Sequence, residues 1–439
     1  MARKEEQENA ALPVVGQAWV VTCVFFSFQY VLREAPDVMV PQLTSELHAS
    51  PLGLSSLFVL YFYGYAAFSL IVGLIMDRFG PRNVVPVGAA IVAAGALLFE
   101  SGEQTMTSVG RFLQGAGGAF AAVGVYCLAT TNASHDRRAT LIGATHVFGV
   151  AGAFAGQFVV GPAIAGGLAW KHFWALMGFF GIALIPLLFI SIPAQARVRP
   201  PRETGKEFLT KAGAVFANPQ SILCGLIAGL LFLPTTLFDM VWAIRFLEEA
   251  RNVPYEEAVL RSAAVLIGWM VGCPVLGALS DMVGRRKPFI IGGGAFLFGC
   301  LALVLYHKYG VLPVYSVGLV AGVASGAAVL TYSVIKEANP PERGNTAIGF
   351  VLFMNYGLAA LLGPVFGVLM TKVSNGGPRG LIHYQIAFAP LMYCVGLAVV
   401  LALFLRETGP APRPLKMNHF AGTPLKSDQP AEGSEERRS

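Results

Sequence analysis

The stretch over residues 73–82 reads Gly73-Leu-Ile-Met-Asp77-Arg78-Phe-Gly80-Pro81-Arg82. It is a short charged turn between two apolar runs, 53–76 and 84–102, each long enough to cross the roughly 30 Å hydrocarbon core of a bilayer as a helix. The same order of Gly, Asp and Gly returns 204 residues later in Gly277-Ala-Leu-Ser-Asp281-Met-Val-Gly284-Arg285-Arg286-Lys287. A second pair, Asp136-Arg137-Arg138-Ala-Thr140-Leu-Ile-Gly143 and Glu342-Arg343-Gly-Asn-Thr346-Ala-Ile-Gly349, is offset by 206, and Gly161-Pro162 and Gly363-Pro364 by 202. Three separated features in one register mean two similar halves.

Outward from these turns, apolar runs of membrane-crossing length recur at 17–41, 53–76, 84–102, 106–131, 139–168, 171–192, 221–247, 258–280, 288–307, 312–337, 345–371 and 383–405. The expected fold is an all-α integral membrane protein of twelve transmembrane helices, in two pseudo-symmetric six-helix halves around a central cavity. Composition agrees. Of 439 residues, 55% are hydrophobic and 13% charged, where a soluble domain carries about 25% charge. The net charge of +6 is not gathered into a basic stripe, so no nucleic-acid partner is expected.

The domain plan is an N-terminal segment 1–16, a first half 17–192, a linker 193–220, a second half 221–405 and a disordered tail 406–439 rich in Pro, Ser, Glu and Lys. No small-residue cleavage site follows the first apolar run, which reads as an anchor and not a signal peptide. Of the 31 Lys and Arg, 22 lie in the termini and even-numbered connections and 6 in the other loops. By the positive-inside rule both termini are cytoplasmic. Six cysteines all lie inside apolar runs without CxxC spacing, so they read as packing residues, with no metal site.

Charges within apolar runs cost roughly 2.5–3.5 kcal/mol each and mark sites by default. Arg33 and Asp37 share a face of the first helix with Tyr30, and Pro36 between them should kink the helix and free a backbone carbonyl for another partner. Adding the 206 offset to Arg33 gives Asp239 in the seventh run, and the expectation is an Arg33/Asp239 pair that opens or weakens for an anionic group, with a permanent Arg33/Asp37 pair that only neutralises charge as the alternative. The candidate substrate-binding set is Arg33, Tyr30, Asp37, Tyr61, Tyr65, Asp239, Trp242, Asn355 and Tyr356. For coupling and gating the set is Asp77, Arg78, Arg82, Arg111, Gln114, His146, Asp281, Arg285, Arg137 and Arg343. In it Asp77 and the nearby arginines latch a gate state through charge-assisted contacts, and His146, with an ordinary pKa of about 6.5, is a candidate proton carrier. No catalytic residue, nucleotide motif or cofactor is expected, so the chain is not an enzyme and draws its energy from a gradient.

The Gly73–Arg82 turn, together with Arg111, Gln114, Gly115 and Gly117 in an Arg-x-x-Gln-Gly-x-Gly order, resembles the major facilitator superfamily across all twelve runs. Tyr30-Val-Leu-Arg33, Pro41 and Tyr65 resemble its organic anion:cation symporter and organophosphate antiporter branches, and Arg33, Pro36 and Met39 its phagosomal nutrient transporters. That resemblance implies that Arg33 meets an anionic substrate group. Two departures stand beside it: Gly118 occupies a position where many symporters have Glu, and Gly161-Pro162-Ala-Ile-Ala-Gly166-Gly167 is one residue longer than the drug-antiporter pattern.

The expected function is secondary active transport of a small organic anion or zwitterion by alternating access, as proton-coupled uptake, by a monomer in a bacterial inner membrane. Its partners are a small-molecule substrate, a coupling ion (H+) and the lipid bilayer. The alternatives are export of drug- or siderophore-like cargo, and a sensor that binds without moving its ligand.

Overall fold

A computed structural model describes residues 2–48, 51–131, 134–193, 205–239, 241–307 and 314–410. Among these residues every regular element is helical. The long helices, labelled in chain order, are α1 (Ala2–Glu34), α2 (Pro51–Phe79), α3 (Pro81–Glu100), α4 (Gln104–Thr131), α5 (Arg138–Phe158) and α6 (Trp170–Ser191) in the first half. The second half has α7 (Pro219–Leu233), α8 (Tyr255–Val283), α9 (Lys287–Tyr306), α10 (Val314–Ser325, resumed as Leu330–Glu337), α11 (Gly344–Val373) and α12 (Leu381–Ala402). Eleven spans among the described residues are long and apolar enough to cross a membrane. The first of the twelve expected runs is not among them, although α1 packs inside the bundle against α4 and α5. The bilayer explains the many large apolar side chains left exposed on the outside, such as Ile190, Phe296 and Tyr393: in lipid they lose nothing by pointing outward.

Two helix breaks follow from proline. Pro36 cannot donate to the carbonyl four residues back, and α1 gives way there to a 3₁₀ turn over Ala35–Met39. Pro234 opens a π-helical stretch, Pro234–Asp239, where the sequence suggested one unbroken run from 221 to 247. Of the expected linker, residues 194–204 lie outside the described residues, and Gly205–Ala217 forms a helix with Ala212 and Val215 buried. The tail from residue 411 also lies outside them.

The halves meet along α2 with α11 and α5 with α8, and the repeated glycines explain how closely. A Cβ on Gly73 would stand 2.7 Å from the Asn345 carbonyl oxygen, and one on Gly349 2.3 Å from that of Ser69. In the symmetric seam, a Cβ on Gly277 would stand 2.5 Å from the Ala139 oxygen and one on Gly143 2.3 Å from that of Cys273. No side chain fits at such distances. These four positions let helix backbones from opposite halves touch.

Candidate functional site between the halves

The repeated aspartates work on the opposite half. Asp77, at the end of α2, accepts the backbone N–H of Asn345 at 3.1 Å and of Thr346 at 2.8 Å, and the Thr346 hydroxyl at 2.5 Å. Asp281, at the end of α8, accepts the Thr140 N–H at 2.8 Å and its hydroxyl at 2.6 Å. Each carboxylate therefore caps the first turn of a helix, α11 or α5, in the other half, where unpaired N–H groups and the positive helix end favour an anion. Where a latch through nearby arginines is expected, the contacts that Asp77 and Asp281 make across the halves are helix caps. Arg78, Arg137 and Arg285 are exposed, Arg82 lies 4.7 Å over the Phe189 ring, and the buried ion pairs to Asp281 and Glu337, at 2.5 and 3.1 Å, come from Arg286. Arg343 is buried, over the Phe208 ring of the linker helix at 4.3 Å. Lys336 of α10 donates to the Thr130 hydroxyl of α4 at the same end.

Above this shut end lies an aromatic cluster that draws on both halves. Tyr30 and Tyr356 bring their hydroxyls to 3.4 Å, Tyr65 stacks on Tyr356 with centroids 3.8 Å apart, and Tyr61 sits 5.8 Å from Tyr65. Asn355 donates to the Tyr332 hydroxyl at 3.1 Å. The cavity left between them is about 10 Å³, on the scale of one water. Any larger solute must part Tyr30 from Tyr356 to bind here.

Beside the cluster, at the break in α1, three buried charged groups gather, Arg33, Glu34 and Arg111. Arg33 is 4% exposed, pairs with Glu34 at 2.5 Å, and lies 4.3 Å over the Tyr30 ring. Glu34 also accepts from Gln157 at 3.4 Å. Arg111 donates to the carbonyls of Leu32 at 2.8 Å and Arg33 at 2.7 Å, with Gln114 at 3.2 Å. The Leu32 carbonyl is the one that Pro36, four residues on, cannot serve, so the freed acceptor expected from the sequence has its partner in Arg111. Asp37 is exposed, as is Arg245.

Two residues of the expected substrate set lie elsewhere. Asp239 does not meet Arg33; its Oδ1 accepts from Ser262 of α8 at 3.3 Å, inside the second half. The π-helical turn carries an extra residue, which rotates Asp239 away from the face that a straight α-helix would give it. Trp242 packs on Phe388 of α12, 5.8 Å away, and not on the central cluster. His146 is buried, within 3.1 Å of the Tyr126 hydroxyl through Nε2 and 3.2 Å of the Ile142 carbonyl through Nδ1. A neutral ring donating to Ile142 and accepting from Tyr126 satisfies both nitrogens.

Sequence reasoning missed Glu34, Gln29, Tyr126 and Tyr332. Gln29 accepts the Tyr61 hydroxyl. Tyr126 and Tyr332 face each other with centroids 5.3 Å apart, and a usable signal existed, since they are 206 residues apart, the offset of the repeated turns.

Residues 19–364 match the family model described as Major Facilitator Superfamily. Among relatives, the "Probable sulfoacetate transporter SauU" of Cupriavidus necator is 23% identical over 412 residues, covering 88% of this chain and 92% of that protein. "Multidrug resistance protein 3" of Bacillus subtilis is 29% identical over 111 residues, 25% of this chain and only 21% of that protein's length. Among solved structures, the proton:xylose symporter XylE superposes with a TM-score of 0.71 at 13% identity, covering 90% of this chain and 97% of that one. The family is one of transporters and not of enzymes, and its fold is the one seen here. With the duplicated halves, the crossed aspartate caps and the apolar spans, the family match shows that this multi-pass membrane chain belongs to the major facilitator superfamily.

Proposed function

We propose that this transporter takes up a small organic anion or zwitterion together with a proton, by rocking of its two halves, 17–192 and 221–405, about the central aromatic cluster. The observation that carries the reading is Arg33, a buried guanidinium at a helix break beside the cluster, whose partner is the neighbouring carboxylate of Glu34. Glu34 meets Arg33 through Oε1 on Nε, whereas an incoming carboxylate, sulfonate or phosphate can offer the guanidinium fork two acceptor oxygens. Exchange leaves Glu34 without its cation, and a proton on Glu34 then removes the cost of a buried unpaired charge. One anion and one proton enter together, and the local charge is unchanged. The name of the Cupriavidus relative, a sulfoacetate transporter, supports the anionic class.

The same geometry supports a reading of alternating access. The arrangement is shut at the end held by Asp77, Asp281 and Lys336, which the charge bias assigns to the cytoplasm, while Asp37 and Arg245 at the opposite end are exposed. A solute that parts Tyr30 from Tyr356 loosens contacts between the halves, and the caps on α5 and α11 then compete with the substrate-bound arrangement. The chain works as a monomer in a bacterial inner membrane, with both ends in the cytoplasm. Export of drug-like cargo draws support from the aromatic lining and from the name of the Bacillus relative. The test is flux in vesicles holding the purified protein, with a panel of short carboxylates, sulfonates including sulfoacetate, and organic phosphates. Accumulation driven by an imposed proton gradient, inward-acid flux included, supports the reading; flux only of neutral or cationic solutes overturns it.

A further inference from the structure

Asp239 heads a second cavity that lies wholly inside the second half. The chamber is about 70 Å³, larger than the central one, and its walls include Phe238, Leu297, Leu301, Val304 and Ala321, from three elements of that half. Asp239 is 6% exposed, and while Oδ1 accepts from Ser262, Oδ2 has no hydrogen-bond partner. The other polar side chains at the chamber are engaged: Thr235 with Ser325 at 2.8 Å, and Arg261 with Glu257 at 3.0 Å through Nε. Arg261 also lies 5.7 Å from the Tyr315 ring.

A carboxylate oxygen left unmet at the head of an apolar chamber is the complement of an ammonium group on a small apolar body. The ammonium supplies the missing donor and the opposite charge, and the body fills the apolar space. On the outer surface a groove of about 930 Å³ runs between α9 and α10, lined by Phe296, Leu303, Tyr306 and Val320. Cys300 borders both the groove and the chamber, so the two spaces are neighbours across one side chain. The groove opens on the apolar outer face, where only a lipid-soluble molecule arrives. We propose that Asp239 and this chamber form a binding site for a small lipophilic ammonium ion that enters from the bilayer, separate from the Arg33 site.

The test is equilibrium binding of radiolabelled benzylammonium to the full chain in lipid nanodiscs, with benzyl alcohol as the uncharged competitor. Expected is saturable binding that falls at least about tenfold in Asp239→Asn, a change that keeps shape and removes charge. Benzyl alcohol at equal concentration should displace little of it, and Arg33→Ala should bind as wild type does. Benzylammonium should also protect Asp239 from a hydrophobic carbodiimide, read by mass spectrometry of the peptide that contains it. Absence of saturable binding, equal binding in Asp239→Asn, or equal competition by benzyl alcohol overturns the site. Loss of binding in Arg33→Ala would overturn its separateness, and a failure of anion uptake in vesicles would leave this result standing on its own.

Discussion

Asp77 and Thr346, 269 residues apart in sequence, are joined by two hydrogen bonds from Thr346 to one carboxylate oxygen, 2.8 Å from the backbone N–H and 2.5 Å from the hydroxyl. Asp281 and Thr140 repeat the arrangement with the halves exchanged. Bonds to a charged acceptor are worth about 1.5–3 kcal/mol each. Asp77→Asn should therefore shift the balance of closed and open forms toward opening at this end by on the order of tenfold or more, while the protein still inserts. Spin-label distances across the α2/α11 seam would read the shift. Unchanged distances with wild-type flux would leave Asp77 without a gating role.

Gly73→Leu tests the seam by shape alone. With the Asn345 oxygen only 2.7 Å from a Cβ, no rotamer fits without parting the helices. Labelling of a cysteine placed beside Asn345 should rise in this variant, and Gly349→Leu should do the same. Slow labelling, as in the wild type, would mean that the backbones are not in contact.

Arg111 and Pro36 form a pair that a double-mutant cycle separates. Arg111→Ala leaves the Leu32 and Arg33 carbonyls without their donor, at a cost of about 1–3 kcal/mol for each buried group. Pro36→Ala restores an N–H in position to serve Leu32 through a regular helix. Thermal unfolding in detergent should show Arg111→Ala strongly destabilised, and partial recovery in the double mutant. Equal destabilisation of both would place the importance of Arg111 elsewhere than in the helix break.

Glu103, in the turn before α4, accepts the N–H groups of Thr105 at 3.0 Å and Met106 at 2.7 Å, and these bonds hold its carboxyl below the usual carboxylate range. A depressed folded-state pKa means stabilisation present above the unfolded value and lost as pH falls through the folded one. The difference in melting temperature between wild type and Glu103→Gln should be small and constant near neutral pH and vanish in acid. A difference that grows on acidification would contradict the cap.

The repeat was legible because its elements, Gly-x3-Asp-x2-Gly and the turns holding Thr140 and Thr346, recur at nearly equal offsets of 204 and 206. What the aspartates bind was not, because each partner lies in the other half, and the backbone N–H groups among them carry no residue-type signal. The same offset carried further would have paired Tyr126 with Tyr332 and Thr130 with Lys336, both 206 apart and both in contact. It failed for Arg33 and Asp239 because a π-turn rotates one helix and its counterpart has none. Glu34 was not legible because helical spacing points to residues three and four away, whereas its contact is with the adjacent Arg33.

In the proposed mechanism Arg33 reads the anion and Glu34 holds its place when no anion is bound. The direct measurement is uptake of the panel anion with the highest flux by Arg33→Lys, Arg33→Ala, Glu34→Gln and the double variant Arg33→Ala/Glu34→Gln, at matched membrane abundance. Arg33→Lys should weaken uptake by on the order of tenfold or more, because a point charge replaces a fork of donors. Arg33→Ala should lose uptake, and the double variant should not regain it. Wild-type uptake in the double variant would show instead that Arg33 serves only to neutralise Glu34.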